Sequence, residues 1–179
     1  MPTLLERTIP IYHFHEVHTR WIQAAPTQVW QALSTLCLDQ LTVSRLLVAL
    51  RHLGTRPPSA GKPLFTDGPA RMLETTAPTY AVGGAVARPW QQHPERREVT
   101  SLDEFAGFEE PGWTKFLTDF HLEPCDGGVQ LTTETRGYST DDRARRRFAL
   151  YWALIRPASG LVRRDMLVTI SRLATRPSS

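Results

Sequence analysis

At 179 residues the chain has the length of one domain, since about 100–200 residues commonly build a single core. Hydrophobic residues make up 41%, enough for a packed interior, yet no stretch nears the ~20 apolar residues of a membrane span, so none is expected. A net charge of +3 gives no ground for expecting a nucleic-acid partner.

The N-terminus, Met1-Pro-Thr-Leu-Leu-Glu-Arg7, lacks the basic-then-apolar shape of a signal peptide. Residues 12–23 are rich in β-branched and aromatic types and predict a first strand. Ala24-Ala25-Pro26 ends it, and Pro26 suits the first turn of a helix, where its missing N–H is no loss. Val29, Trp30, Leu33 and Leu36 or Cys37 follow at helical spacing. A second short helix is signalled by Val43, Leu46, Leu47, Leu50 and Leu53, with Gly54 as its C-cap. Four prolines and two glycines between 55 and 69 read as a loop.

Strands are then predicted near 71–77, 79–89, 97–107, 113–123 and 129–137, parted by proline and glycine clusters. Gly83-Gly84 inside one of them suggests a bulge or bend. Asp126-Gly-Gly128 is a hairpin turn, because glycine accepts the positive φ that a tight turn demands. A terminal helix begins at Ser139-Thr-Asp-Asp142, with acids at the positive end of its dipole. Ala144, Phe148, Tyr151, Trp152 and Ile155 share one side of it. Pro157 cannot donate its backbone hydrogen bond, so a kink or break is expected before helical spacing resumes at Leu161, Met166, Leu167, Ile170 and Leu173.

One strand, two short helices, a run of antiparallel strands and a long terminal helix is the order of the helix-grip fold. The chain resembles the START-related superfamily often called SRPBCC, and within it a group of uncharacterised bacterial members. The resemblance rests on Phe14 to Ile22 followed by Ala25-Pro26 and Val29-Trp30. Gly83 to Trp90, Glu110 to Trp113, Thr132 to Arg136 and Ala144 to Arg164 add to it. It implies an α+β fold with a curved antiparallel sheet of six or seven strands around a long kinked helix. A single domain spans 1–179, with its core at about 12–175. The resemblance also implies a deep cavity between sheet and helix that holds an apolar molecule. Some members of that superfamily are cyclases or aromatases, and others carry or sense their ligand.

Alternation places His13, His15, Val17, Thr19 and Trp21 on one face of the first strand and Phe14, Glu16, His18, Arg20 and Ile22 on the other. Pattern alone leaves either face inward. The family resemblance points Ile22 inward, and with it Glu16 and His18. A carboxylate and an imidazole two residues apart can pair and serve as acid and base, which makes Glu16 and His18 the catalytic candidates. The same two residues also read as ligand-orienting groups or as a merely structural pair. Tyr151, Trp152 and Arg156 are expected to form the helix-side wall and mouth of the pocket, facing them. Thr133, Thr135, Lys115 and Asp119 are further polar candidates on neighbouring strands.

His13 and His15 lack the third protein ligand that catalytic zinc sites need, so no metal is expected. No phosphate-binding or dinucleotide motif calls for a cofactor. Arg143, Arg145, Arg146 and Arg147 scatter around the helix and read as a solvated face. Cys37 and Cys125 read as reduced thiols of a cytoplasmic protein. The expected function is binding or carrying a hydrophobic, lipid- or polyketide-like molecule in an internal cavity. The alternatives are a cyclase, aromatase or dehydratase working through Glu16 and His18, and an interaction module with a vestigial pocket.

Overall fold

A computed structural model describes residues 3–44, 61–67 and 70–176. Most of the expected second helix, the stretch 55–60 of the loop after it and the last two serines lie outside the described residues.

Six strands form one antiparallel sheet in the order β1-β6-β5-β3-β2, with the short β4 paired to β3. They are β1 (Phe14–Ile22), β2 (Arg71–Thr76), β3 (Tyr80–Arg88), β4 (Glu95–Arg97), β5 (Thr114–Cys125) and β6 (Gly128–Ser139). Among the described residues the α-helices with both ends defined are α1 (Leu4–Thr8), α2 (Pro26–Ser34), α3 (Leu64–Asp67), α4 (Leu102–Gly107) and the long α5 (Asp142–Ala174). This is the α+β helix-grip arrangement. None of the described helices is long and apolar enough to cross a membrane.

The strand alternation sorts side chains onto two faces, and each face has its own core. Ile22, Phe120, Leu122, Val129 and Leu131 pack against Val29 and Leu33 of α2 and Leu167 and Ile170 of α5. On the opposite face Val82, Val86 and Leu117 pack against Leu5 of α1, Phe105 of α4 and Trp113. Short helices thus cover the face that the long helix does not. The N-terminal one was unexpected, although Thr3-x-x-Glu6 forms a complete capping box and Leu5 is fully buried.

Three expectations are corrected. Residues 97–107 are not one strand, because pairing stops at Arg97 and α4 follows. Ser101 accepts from the Glu104 N–H, while Glu104 accepts from the Thr100 N–H, so a helix start outweighs the β-like composition. Gly83-Gly84 itself pairs regularly with β5, and the bulge lies opposite, between Met72 and Glu74 of β2. A side chain at either glycine would meet Met72 or Leu73, so the glycines make room for the bulged strand. Finally, α5 continues through Pro157 without a break. Ala153 and Pro157 both face solvent, where water can serve the carbonyl that proline leaves free. Phe148 on one side of the proline and Leu167 and Ile170 on the other are buried, which anchors both halves of the helix.

Candidate functional site

Edge strand β1 brings Glu16 and His18 to the face covered by α5, since Ile22 four residues on is buried there. The outward face of β1 carries His15, Val17 and Trp21. Across from Glu16 runs the Ala158-Ser159-Gly160 segment of α5. Ser159 Oγ–H donates to Glu16 Oε2 at 2.8 Å, and His18 Nε2 lies 2.7 Å from Glu16 Oε1. A carboxylate only accepts, so that imidazole nitrogen carries the proton. Gly160 faces the pair: a methyl group there would make ordinary contact, 3.4 Å from Glu16 Oε1 and 3.8 Å from His18 Cε1.

Deeper under the helix, Arg163 Nη2 donates to Thr135 Oγ1 at 2.9 Å and to Thr118 Oγ1 at 3.2 Å. Those two threonines also bond each other across β5 and β6. Burial lowers the Arg163 pKa from its ordinary value, and the fields of Glu16 and Asp119 offset part of that cost. Thr133, register partner of His18, has a buried hydroxyl without a hydrogen-bond partner among the described residues. A polar strip therefore runs from the sheet edge to beneath α5.

Glu16 and His18 open onto a cleft of about 560 Å³ between β1 and α5. His15 and Val17 line its strand side, and Arg156, Pro157, Gly160, Leu161 and Arg164 its helix side. Of the expected helix-side residues, Arg156 stands in this wall. Tyr151 and Trp152 do not. Trp152 stacks on Phe148 at 5.9 Å, and Phe14 and Phe116 close on the same ring at 4.1 and 5.0 Å. What remains between these rings, Glu16 and Thr135 is a void of about 20 Å³, room for a single water. The aromatic stripe thus leaves little space at this point under α5.

The remaining candidates separate by face. Thr133 and Thr135 lie under α5 as described. Lys115 and Asp119 sit on the opposite face. Lys115 Nζ donates to the carbonyls of Ala106 and Phe108, closing the end of α4, and burial lowers its pKa. Asp119 accepts from the Glu134 N–H and the Tyr80 hydroxyl, and burial raises its pKa to about 6. His13 accepts from the Ser139 N–H and stacks on Tyr138, while His15 pairs with Glu134. The two histidines serve different neighbours, and no metal-holding cluster exists among the described residues.

Sequence reasoning missed Ser159, Gly160 and Arg163. Their signal was spacing, for Arg156, Ser159, Gly160 and Arg163 recur at i, i+3, i+4 and i+7 on one side of a helix. Chemically, the Ser159 hydroxyl donates straight to a carboxylate and not to an imidazole. That is not the serine–histidine contact that activates a serine nucleophile. The cleft instead offers two guanidinium groups, two imidazoles, a clamped carboxylate and three apolar side chains.

No family model matches the chain, and no curated protein matches it. Solved structures do. A protein from Mesorhizobium loti is 14% identical with a TM-score of 0.45, covering 93% of this chain and 100% of its own. One from Chromobacterium violaceum is 14% identical with a TM-score of 0.44, over 91% of this chain and 99% of its own. A conserved protein from Geobacillus kaustophilus is 11% identical with a TM-score of 0.46, over 90% and 95%. Identities and scores at this level carry no property across to this chain.

Proposed function

We propose that this protein binds a small amphipathic molecule in the cleft between β1 and α5. Its apolar part lies against Val17, Pro157 and Leu161, and an anionic or carbonyl group meets Arg156 and Arg164. One observation carries this: the cleft of about 560 Å³ combines those three apolar side chains with two exposed guanidinium groups. Small-molecule sites commonly occupy about 300–1,000 Å³, with an apolar lining and few orienting polar groups. The proposal treats the chain as a cytoplasmic member of the START-related SRPBCC superfamily that carries its ligand. The ring-filled interior adds a condition, because an apolar tail reaching inward has to displace Trp152 or Phe14.

The test is binding of a fluorescent fatty acid and of its uncharged methyl ester. Arg156→Ala and Arg164→Ala should each weaken the acid about tenfold, the scale of a lost charged hydrogen bond, and leave the ester unchanged. Equal binding of acid by parent and both variants overturns the assignment.

The contact of His18 with Glu16 at 2.7 Å, facing the cleft, favours a second reading as a cyclase, aromatase or dehydratase. There His18 and Glu16 exchange a proton with the bound molecule. Glu16→Gln separates the two, since turnover of a polyketide-like substrate is lost in the second reading while binding persists in both.

A further inference from the structure

The outward face of α5 is built in an unusual way. Leu150 and Leu154 stand 78% and 81% exposed, and Leu161 is 48% exposed. A helix that needs only to cover a sheet places such residues inward, as α5 does with Phe148, Leu167 and Ile170. At about 100° per residue the three leucines and Pro157 lie within about 40° of one line along the helix. Arg143 and Arg146 precede them on that line, Arg147 flanks it, and Arg164 and Arg172 follow; all five are exposed. The carboxylate bordering this face, Asp165, is already engaged by the N–H groups of Val43 and Ser44 and by the Ser44 hydroxyl. Asp142, exposed at the helix start, stands next to Arg143 and one turn before Arg146.

An apolar centre between arginines, with one exposed acid, Asp142, at its N-terminal end, suits a surface that is apolar inside and anionic outside. We propose that this face of α5 docks on anionic lipid bilayers, the leucines entering the interface and the arginines meeting the head groups. Amphipathic helices bind bilayers by this combination of buried apolar area and charge. A second copy fits worse. Laid antiparallel on the same face, it brings Leu150 against Leu161 but sets Arg147 against Arg164, like charges together. Nucleic acid would use the arginines and leave the leucines in water. The docking face adjoins the cleft, since Pro157, Leu161 and Arg164 belong to both, so a molecule leaving the bilayer would meet the cleft first. Docking itself does not depend on what the cleft binds.

The test is sedimentation of the full chain with vesicles of phosphatidylcholine alone or mixed in equal parts with phosphatidylglycerol. Binding to the mixed vesicles, weakened by salt, and little binding to the neutral ones is expected. Replacing Arg143, Arg146 and Arg147 by Gln should cost about fivefold each, on the order of a hundredfold together. Leu150→Ser with Leu154→Ser should cost on the order of tenfold or more. Neither set touches the cleft, so fatty-acid binding and melting temperature should stay at the parent's values. Equal binding to both vesicle types, or variants that bind as the parent does, overturns the proposal. So does a parent that stays off vesicles and forms a dimer that the leucine variant abolishes, which would make a second copy the occupant.

Discussion

Replacing Trp152 by alanine probes whether the ring layer under α5 is a packed core or a closed ligand chamber. The indole is partly buried, stacks on Phe148 and borders the 20 Å³ void with Phe14 and Phe116. Truncating a fully buried tryptophan costs about 3–5 kcal/mol. Trp152 keeps part of its surface in water, so about half of that, near 2 kcal/mol, is the expected loss. For a chain of this size it lowers the melting temperature by roughly 4–8 °C. The emptied volume joins the existing void and is lined by Phe14, Phe116 and Phe148, an apolar site that a benzene-sized probe can occupy. Thermal melting by circular dichroism, with and without such a probe, measures both effects. A variant that melts within about 1 °C of the parent and takes up no probe refutes the reasoning, for the ring would then not belong to the packed layer.

Three further outcomes are expected. Asp119 has its carboxyl raised from 3.8 to about 6 by burial, so the folded state holds its proton more tightly than the unfolded one. The associated stability is present below about pH 4 and lost as pH rises through about 6, some 3 kcal/mol in all. Asp119→Asn should flatten that slope in urea titrations between those values, and an unchanged slope refutes it. Gly128→Ala puts a methyl group into the Ile22 carbonyl across the β1–β6 pair. That backbone cannot swing aside as a side chain can, so about 1–3 kcal/mol or more should be lost in denaturant unfolding. Glu16→Gln removes the charge that faces buried Arg163 and one of two good acceptors for Ser159 and His18. A loss of about 1–3 kcal/mol is expected in thermal or urea unfolding, and parent-like stability shows that Arg163 does not need Glu16.

Some of the molecule was legible in local pattern because local physics fixes it. Pro26 starts α2, Gly127 takes φ +74 in the β5–β6 hairpin, and the alternation of β1 sets Glu16 and His18 together on one face. Those are properties of neighbours in the chain. The capping signal of Ser101 with Glu104 was equally local, but the strand expected over 97–107 took no account of it.

Which face of β1 meets the helix was decided only by tertiary packing, because a strand with ionisable groups on both sides carries no preference of its own. The same holds for the void. Phe14, Phe116, Phe148 and Trp152 are far apart in sequence, and only their convergence leaves little space at this point under α5. Pro157 shows the limit most clearly. Sequence determines that a hydrogen bond is lost there, but whether the helix breaks depends on what packs on either side and on whether the freed carbonyl faces water. Here both favour continuity, and the unbroken helix carries Ser159, Gly160 and Arg163 over Glu16 while presenting Leu150 and Leu154 to the outside.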